Sequence, residues 1–595
     1  MNGVTYPLWM MRLYLVLRPA SDFFGQEFLV VAKEPSAKVI VDMSGTTAST
    51  TSARETAQLS MPILGKIWNA WCSPWPLSGR IIAGLASVLV VYCAILVWLG
   101  ALHTSLFGHD YFIFLDGGWR VLNGQRPHVD FHTAVGPLQA LYSAFAMWVA
   151  GDNVSTGFGI ARAVVTLAFT LWCFLLLRGR FRPAATIAVC GMIALLAGAP
   201  FALTSSPFTQ SMAMFYNRFG YVLLALIILE GFQPRQFAYL GGLSTGIAIG
   251  LLLFLKISFF CASIPLLILS LAPWNGRRVA GVAVGFFLIA SGFLIWLRFD
   301  VPAVVNDIRM CAVARSTAFP VHRFLRTLER CTLGILLTLA LGAIVTALNW
   351  NLRPRFLQKV QPIVLALAAV ILEPVVSIAN QQDAVLILMS FCCMMFAASV
   401  THASSEARPV AAAVALVGVC MALQGCIYDL VGLVYSVQHA ARHRGAPGIP
   451  RLDAPGLSSL VFEGEFSGVY KYENGPPLVK VVNDGIHLLQ ANTGPRDGVL
   501  ALAFVNPFSA ALRRPAPRGS ATFFSLGMSI SAGNYLPAAG LFAEVEAVMV
   551  PTYETDESGT TTAMVAQYKE VLERDYVLAA KSDFWLLYRK RIAGQ

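Results

Sequence analysis

A series of long apolar runs without charged side chains constrains the fold more than any other feature of the sequence. The first run, 81–102, contains no Asp, Glu, Lys or Arg, and similar runs recur to about Val437. A helix of about 20 such residues crosses a hydrocarbon core of about 30 Å. Only 13% of the residues are charged and 56% are hydrophobic, whereas soluble domains are about 25% charged. The chain is therefore predicted to be a polytopic α-helical membrane protein.

The basic residues lie mainly in short groups between the apolar runs, as Lys and Arg do in loops that stay cytoplasmic. Topology thus accounts for the net charge of +11, and no nucleic-acid partner is predicted. The loops predicted to face the cytoplasm carry Arg178/Arg180/Arg182, Arg235, Arg277/Arg278, Arg353/Arg355/Lys359 and Arg408. With these inside, about eleven transmembrane helices follow, near 81–103, 157–177, 185–203, 217–232, 238–255, 257–273, 279–297, 331–350, 362–380, 384–401 and 409–437.

Three regions are predicted along the chain. Residues 1–80 form a cytoplasmic N-terminal extension, and 81–437 form the transmembrane domain, with a first external loop at 104–156. Residues 446–595 change to a mixed pattern typical of a soluble α/β domain, with strands at 499–504 and 545–550 and a helix at 562–574. The topology places this last domain in the periplasm, on the outer side of a bacterial inner membrane. The weakest point of this topology is Lys256, because a single crossing there would invert the predicted orientation of all later segments.

The first external loop collects acids, histidines and aromatic residues where an apolar tunnel could meet water. The loop resembles the GT-C membrane glycosyltransferases, specifically the glycosyltransferase 39-like group of protein mannosyltransferases and aminoarabinose transferases. In that group an acid follows the first membrane helix, then a Gly-x-x-Pro-Tyr-x-Asp-Phe turn, then a Pro-Leu segment. Asp110 falls on the acid, and the turn matches Gly124, Pro127, His128, Asp130 and Phe131.

This loop departs from the group's pattern at two positions. Tyr111 stands where a second acid is common, which counts against a metal site built from adjacent acids; a divalent metal stays an open alternative, and no metal ligand is assigned. His128 stands where tyrosine is common. The resemblance implies a GT-C-like catalytic domain that takes sugar from a polyprenyl-phosphate donor.

Such a transfer needs a base for the acceptor hydroxyl and cationic or hydrogen-bonding groups for the leaving phosphate. Asp110 is the candidate base and Asp116 a second catalytic candidate. The alternative for Asp110 is a helix cap or an ion pair with Arg120 or Arg126, and an Asp near a turn commonly binds backbone amides. The candidate substrate-binding residues of this loop are His109, Arg120, His128 and Asp130.

Three ionisable residues of the apolar spans complete the predicted site. Arg218 and Lys256 stand at predicted external ends and are candidates to bind the lipid phosphate; the alternative is snorkelling to the interface. Glu373 lies inside a span, where an ionisable group is costly unless it is paired or faces a cavity. It is predicted to bind substrate, with a structural pair as the alternative. The translocated stretch 298–330 is also unusually basic, with Arg298, Arg309, Arg315, Arg323, Arg326 and Arg330.

The function predicted from these features is an inverting glycosyltransferase. Its partners are a polyprenyl-phosphate-linked sugar donor, membrane lipids and a glycan, lipid or protein acceptor of the cell envelope. The alternative is a transporter or flippase of lipid-linked sugars, which shares intramembrane charges but usually has its site near the midplane. A non-catalytic receptor is a third class, for which so many spans are excessive.

Overall fold

The computed structural model describes most of the chain after the N-terminal extension. The described residues are 78–104, 106–203, 206–232, 238–271, 274–315, 321–350, 356–380, 382, 385–400, 407–444, 448–454, 456–462, 477–556 and 558–591. The predicted extension 1–80, except for its last three residues, lies outside them, as do Arg235, Arg353 and Arg355.

The regular elements among the described residues of the membrane part are helices joined by loops. Its helices are α1 Gly79–Leu99, α2 Asp110–Leu122, α3 Pro137–Ala150, α4 Val154–Leu177, α5 Pro183–Gly198, α6 Asn217–Phe232, α7 Ala238–Leu255, α8 Ile257–Leu271, α9 Gly276–Trp296, α10 Val301–Ala314, α11 Val321–Arg330, α12 Thr332–Leu348, α13 Phe356–Ala379, α14 Ile387–Ser399 and α15 Arg408–His443.

A helix is present at each of the eleven predicted spans. Six of the described helices are long and apolar enough to cross a membrane, or seven if α11 and α12, which are bent by 70°, form one span. The polytopic membrane fold is therefore confirmed. The count of eleven crossings is not confirmed, because helices such as α5, α8 and α14 have only 10–17 residues. The apolar end of the first external loop, too short for an upright crossing, is the 14-residue helix α3.

Glycines bring α7 and α9 into close parallel contact. A Cβ atom added at Gly242 or Gly246 would lie 2.1 Å from a backbone oxygen of α9, and one at Gly281 would lie 2.2 Å from an oxygen of α7. Within a membrane, helices associate through such close backbone packing, because lipid removes the hydrophobic driving force. The four-residue spacing of these glycines places them on one face of α7.

The chain reverses direction at Lys256. Near the start of α6, Gly220 faces Phe259 near the start of α8, and near its end Gly231 faces Ser270 near the end of α8. Helices α6 and α8 are therefore parallel. Helix α7 runs the other way, since Gly241 at its start packs against the last turn of α6. The apolar stretch around Lys256 thus forms two antiparallel helices rather than one crossing.

Basic residues from two predicted cytoplasmic loops meet at one end of the bundle. Arg180 Nη1 lies 2.9 Å from Glu230 Oε2, and Arg278 Nη2 donates to the backbone oxygen of Glu230 at 3.2 Å. The opposite end carries the first loop, α10 and the C-terminal domain. This segregation agrees with assigning the two basic loops to the same side, while the identity of that side stays a prediction.

The C-terminal part is a small α/β domain, as predicted. Its four-stranded sheet has the order β1-β2-β4-β3, with β1 and β2 parallel and the other pairs antiparallel. The predicted strands are shorter or shifted, and the predicted helix 562–574 is interrupted at Tyr568, whose hydroxyl donates to Leu536 O at 2.8 Å. The elements are α16 Leu478–Asn492, β1 Val499–Ala501, α17 Phe508–Ala511, α18 Ala538–Leu541, β2 Ala547–Pro551, α19 Thr560–Gln567, α20 Lys569–Asp575, β3 Tyr576–Lys581 and β4 Trp585–Lys590.

Candidate functional site

Helix α2 begins with the predicted base. Asp110 lies in its first turn, where a carboxylate interacts favourably with the helix dipole. His109 Nε2 lies 3.1 Å from Asp110 Oδ1, and the two side chains are 13% and 14% exposed. The imidazole of His109 contacts the ring of Phe504 edge-on, with centroids 4.6 Å apart. Asp110 therefore lies where the first loop meets the C-terminal domain, and it is not sealed from solvent.

Lys256 occupies the break between α7 and α8. Its Nζ lies 3.5 Å from both the Tyr216 hydroxyl and Asn217 Oδ1, and 5.1 Å from the centroid of the Tyr216 ring. The first loop reaches this break as well, since the Gly136 amide donates to Leu255 O at 3.2 Å. A Cβ atom at Gly136 would lie 2.1 Å from a backbone oxygen of α7, so only glycine fits.

Tyr216 lies between Lys256 and the helix that carries the base, because its ring contacts edge-on that of Phe114, one turn after Asp110 on α2, with centroids 6.0 Å apart. Burial raises the pKa of the Tyr216 hydroxyl, the Asp110 carboxylate raises it further, and the Arg315 guanidinium opposes both. Arg315 is linked to the break between α7 and α8 through the end of α13, because it donates to Ala379 O at 3.2 Å and the next residue, Asn380, accepts from Ser258 Oγ at 3.0 Å. Asp110, Tyr216, Asn217, Lys256 and Arg315 thus form one group, which we call the outer cluster.

The outer cluster has hydrogen-bonding capacity to spare. Asn217 is fully buried, yet its Nδ2 has no hydrogen-bond partner among the described residues. Arg315 caps the C-terminal end of α10, is exposed, and donates to Ala379 O at 3.2 Å. Two neighbouring cations, of which Lys256 is buried, are stabilised by an anion bound between them. The cluster therefore has the composition of an anion site with a carboxylate beside it.

Asp116, the second catalytic candidate, lies in a different environment. Its side chain and that of Arg120 are fully buried, with Arg120 Nε 2.7 Å from Asp116 Oδ2. Burial raises the pKa of Asp116, and Arg120 only partly offsets this rise. Arg120 also donates to Pro517 O at 2.8 Å and Ser520 Oγ at 2.7 Å. A catalytic base must reach its substrate, so we reassign Asp116 and Arg120 to the contact between the first loop and the C-terminal domain.

The predicted turn residues are bound within the protein. Asp130 accepts from the amide and the guanidinium of Arg126, at 2.8 and 3.0 Å. His128 Nδ1 lies 2.8 Å from Asp307 Oδ2 on α10. Burial by itself raises the pKa of Asp307, but hydrogen bonds with His128 and His132 and the charge of these residues lower it overall. The structure therefore places both predicted residues in contacts that shape the loop.

Arg218 and Glu373 both lie inside the helix bundle. Fully buried Arg218 donates to Asp429 of α15 at 3.0 Å and to Phe201 O at 2.8 Å. Glu373 accepts from the amides of Leu388 and Met389, each at 2.9 Å. These amides belong to the first turn of α14 and have no partner within that helix. Arg218 thus pairs two helices, where the sequence alternative was snorkelling to the interface, and Glu373 caps a third helix, where the alternative was a structural pair.

The divalent metal left open by the sequence finds no fitting group of ligands in the part of the chain that the structure describes. No three or more His, Cys, Asp or Glu side chains there are arranged to hold an ion. We therefore derive no step through a metal.

Arg315, Tyr216 and Asn217 are the site residues that sequence reasoning missed. Arg315 belongs to the arginine-rich stretch 298–330, so its residue type was noted but not its position. Tyr216 and Asn217 lie at the start of α6 in a segment with no distinguishing pattern. All three join the cluster through the packing of segments far apart in sequence, which local patterns do not reveal.

Comparisons with known proteins find similarity in structure alone. No protein-family model and no curated protein matches the chain. The crystal structure of ArnT from Cupriavidus metallidurans in the apo state aligns with a TM-score of 0.41 and 12% identity over 86% of this chain and 97% of ArnT. The cryo-EM structure of the arabinofuranosyltransferase AftD from Mycobacteria aligns with a TM-score of 0.36 and 14% identity, over 88% of this chain but 40% of AftD. At these identities and TM-scores, the likeness by itself assigns no activity to this chain.

Proposed function

We propose that the chain is a membrane glycosyltransferase that moves a sugar from a polyprenyl-phosphate donor to an envelope glycan, lipid or protein. The observation that carries this proposal is the outer cluster, in which a carboxylate and two cations converge at one end of a helical membrane bundle. The first-loop motif assigns the same carboxylate, Asp110, to the family acid. The proposed orientation puts this end of the bundle and the C-terminal domain on the periplasmic side of a bacterial inner membrane.

The proposed reaction is a single displacement at the anomeric carbon. Asp110 accepts the proton of the acceptor hydroxyl while the acceptor oxygen bonds to the anomeric carbon. The bond between that carbon and the phosphate oxygen breaks, and polyprenyl phosphate leaves with the bonding electron pair. Attack from the face opposite the leaving group inverts the anomeric centre.

The cations of the outer cluster serve the leaving group in this scheme. Lys256 and Arg315 stabilise the charge that grows on the departing phosphate, which accelerates the step because the stabilisation increases toward the transition state. Asn217 Nδ2, which has no partner among the described residues, is an additional donor for a phosphate oxygen.

The C-terminal domain covers the base. Phe504 contacts His109, the neighbour of Asp110, and the segment from Pro517 to Thr522 binds the first loop through Arg120 and His132. An acceptor that approaches Asp110 from the aqueous side therefore passes along this domain. We assign acceptor binding to that boundary.

The test is to incubate the purified full-length protein with a panel of polyprenyl-phosphate sugars and acceptor fractions from envelopes, and to follow release of polyprenyl phosphate. We expect release that depends on both donor and acceptor. Movement of a fluorescent lipid-linked sugar across proteoliposomes, without release, would instead establish the flippase alternative and overturn the proposal.

A further inference from the structure

A buried carboxylate joins the first loop to α10. Asp307 Oδ2 lies 2.8 Å from His128 Nδ1 and accepts from the Thr133 amide at 3.1 Å, while Oδ1 lies 2.5 Å from His132 Nδ1. Asp307 is 2% exposed. One side chain of α10 therefore binds three residues of the first loop.

Asp307 has a special place in α10. This helix is described along its whole length, and Asp307 is its single residue classed as buried. Several of its apolar residues are exposed instead, including Val301, Val305 and Val313. The partly buried Val304 and Met310 pack against neighbouring apolar residues, and the hydrogen bonds of Asp307 add the polar contacts that fix the helix against the first loop.

The loop side of this contact is held in an uncommon conformation. His128 has φ of +68°, in the left-handed region that costs residues other than glycine on the order of 1 kcal/mol. Its amide donates to Phe131 O at 2.8 Å, and the His132 amide donates to Ser520 O at 2.8 Å. The turn is thus bound from α10 and from the C-terminal domain at once.

The two sides of this contact each carry a charged member of the outer cluster. Asp110 and the bound turn belong to the first loop, while Arg315 directly follows the last residue of α10. We propose that Asp307, by clamping His128 and His132, is a positioning residue that sets Arg315 relative to Asp110. The inference rests on the proposed function and adds a residue that touches neither donor nor acceptor.

A kinetic cycle tests the positioning role. Displacing a catalytic group by about 1 Å costs up to about 10²-fold in rate, so Asp307→Ala is expected to lower kcat about 10- to 100-fold. If Asp307 acts through Arg315, adding Asp307→Ala to the Arg315→Gln variant should lower kcat by less than about a further threefold. If the losses in kcat of the two single variants multiply in the double variant, Asp307 does not act through Arg315. The exposed neighbour Asn306→Ala is the matched control and should leave kcat unchanged.

Amide hydrogen exchange of the full-length protein tests the clamp without any assay of transfer. Asp307→Ala should speed exchange in peptides covering 126–135 and 301–314 and leave α6 and α7 unchanged, whereas Asn306→Ala should change neither. Unchanged exchange in both peptides would overturn the clamp even if transfer is observed. If Asp307→Ala does not accumulate, His132→Ala removes one of the hydrogen bonds and is expected to give the same pattern with a smaller amplitude. An absence of transfer in the wild type would contradict the proposed function and leave the exchange result valid.

Discussion

The first turn and the middle of α2 each carry an aspartate, and the two are bound in different ways. Asp116 is fully buried in an ion pair with Arg120, whose guanidinium binds the C-terminal domain. Asp110 is partly exposed beside His109 and acts electrostatically on Tyr216. A fully buried carboxylate in an ion pair stabilises an interface, whereas one with an accessible oxygen is available to a substrate. Accessibility, rather than residue type, distinguishes the two roles.

The same comparison sorts the other ionisable residues. Arg218 and Glu373 resemble Asp116, because each binds groups of neighbouring helices. Lys256 resembles Asp110, because among the described residues its polar contacts are two neutral groups at 3.5 Å. An ammonium that no described carboxylate contacts retains most of its attraction for an anionic ligand.

The largest expected effect is on turnover by Asp110→Asn. Asn keeps the shape of the side chain but does not accept the proton, so loss of a general base should lower kcat about 10²- to 10⁴-fold. The amount of protein in the membrane and its melting temperature should stay near those of the wild type. Near-normal turnover by Asp110→Asn would remove the distinction between the two aspartates.

Arg120→Met should affect stability instead. It leaves Asp116 as an uncompensated buried carboxylate, which costs about 3–5 kcal/mol, and it removes the hydrogen bonds to Pro517 and Ser520. Limited proteolysis should then release the C-terminal domain sooner. The double variant Arg120→Met/Asp116→Leu should recover most of the loss, and failure to recover would contradict a simple buried ion pair.

Lys256→Ala should weaken use of the donor with little effect on folding. A hydrogen bond to a charged group contributes about 1.5–3 kcal/mol, so kcat/KM for the lipid-linked sugar should fall about 10- to 100-fold. Lys359→Ala is the control, because Lys359 lies over the Trp350 ring, near the start of α13. Equal losses in both variants would indicate a general effect of removing a lysine.

Glu373→Gln should produce the smallest effect. Gln keeps one of the two oxygens that cap α14, so the expected loss of stability is about 1–2 kcal/mol, with kcat per folded molecule unchanged. Thermal unfolding and turnover measured on the same preparation check both parts. A selective loss of turnover would return Glu373 to the substrate-binding residues.

The helices could be predicted from the sequence because each apolar run is a local signal. All eleven predicted spans coincide with helices, including those that meet at Lys256. The predicted bounds of the strands in the C-terminal domain were less accurate. The predicted strand 499–504 ends at Ala501, because the residues beyond it turn toward the first loop. There the amide of Phe524, also in the C-terminal domain, donates to Phe504 O.

The candidate site could be predicted only in part. The motif identified Asp110, and the rarity of charge in apolar spans identified Lys256. The same rarity also selected Arg218 and Glu373, because a sequence does not show whether a buried charge has a partner. Asp429, the partner of Arg218, is 211 positions away, and Asp307 is 179 positions from His128. Pairing over such separations is decided by tertiary packing.

Chemical rescue of Asp110→Gly by formate tests the central claim most directly. The glycine removes the proposed base and leaves space for a small carboxylate to take its place. With a donor that the wild type uses, added formate should restore transfer by Asp110→Gly in a concentration-dependent manner and should not stimulate Asp116→Gly. Folded Asp110→Gly that formate fails to restore, or rescue confined to Asp116→Gly, would contradict the assignment of Asp110 as the base.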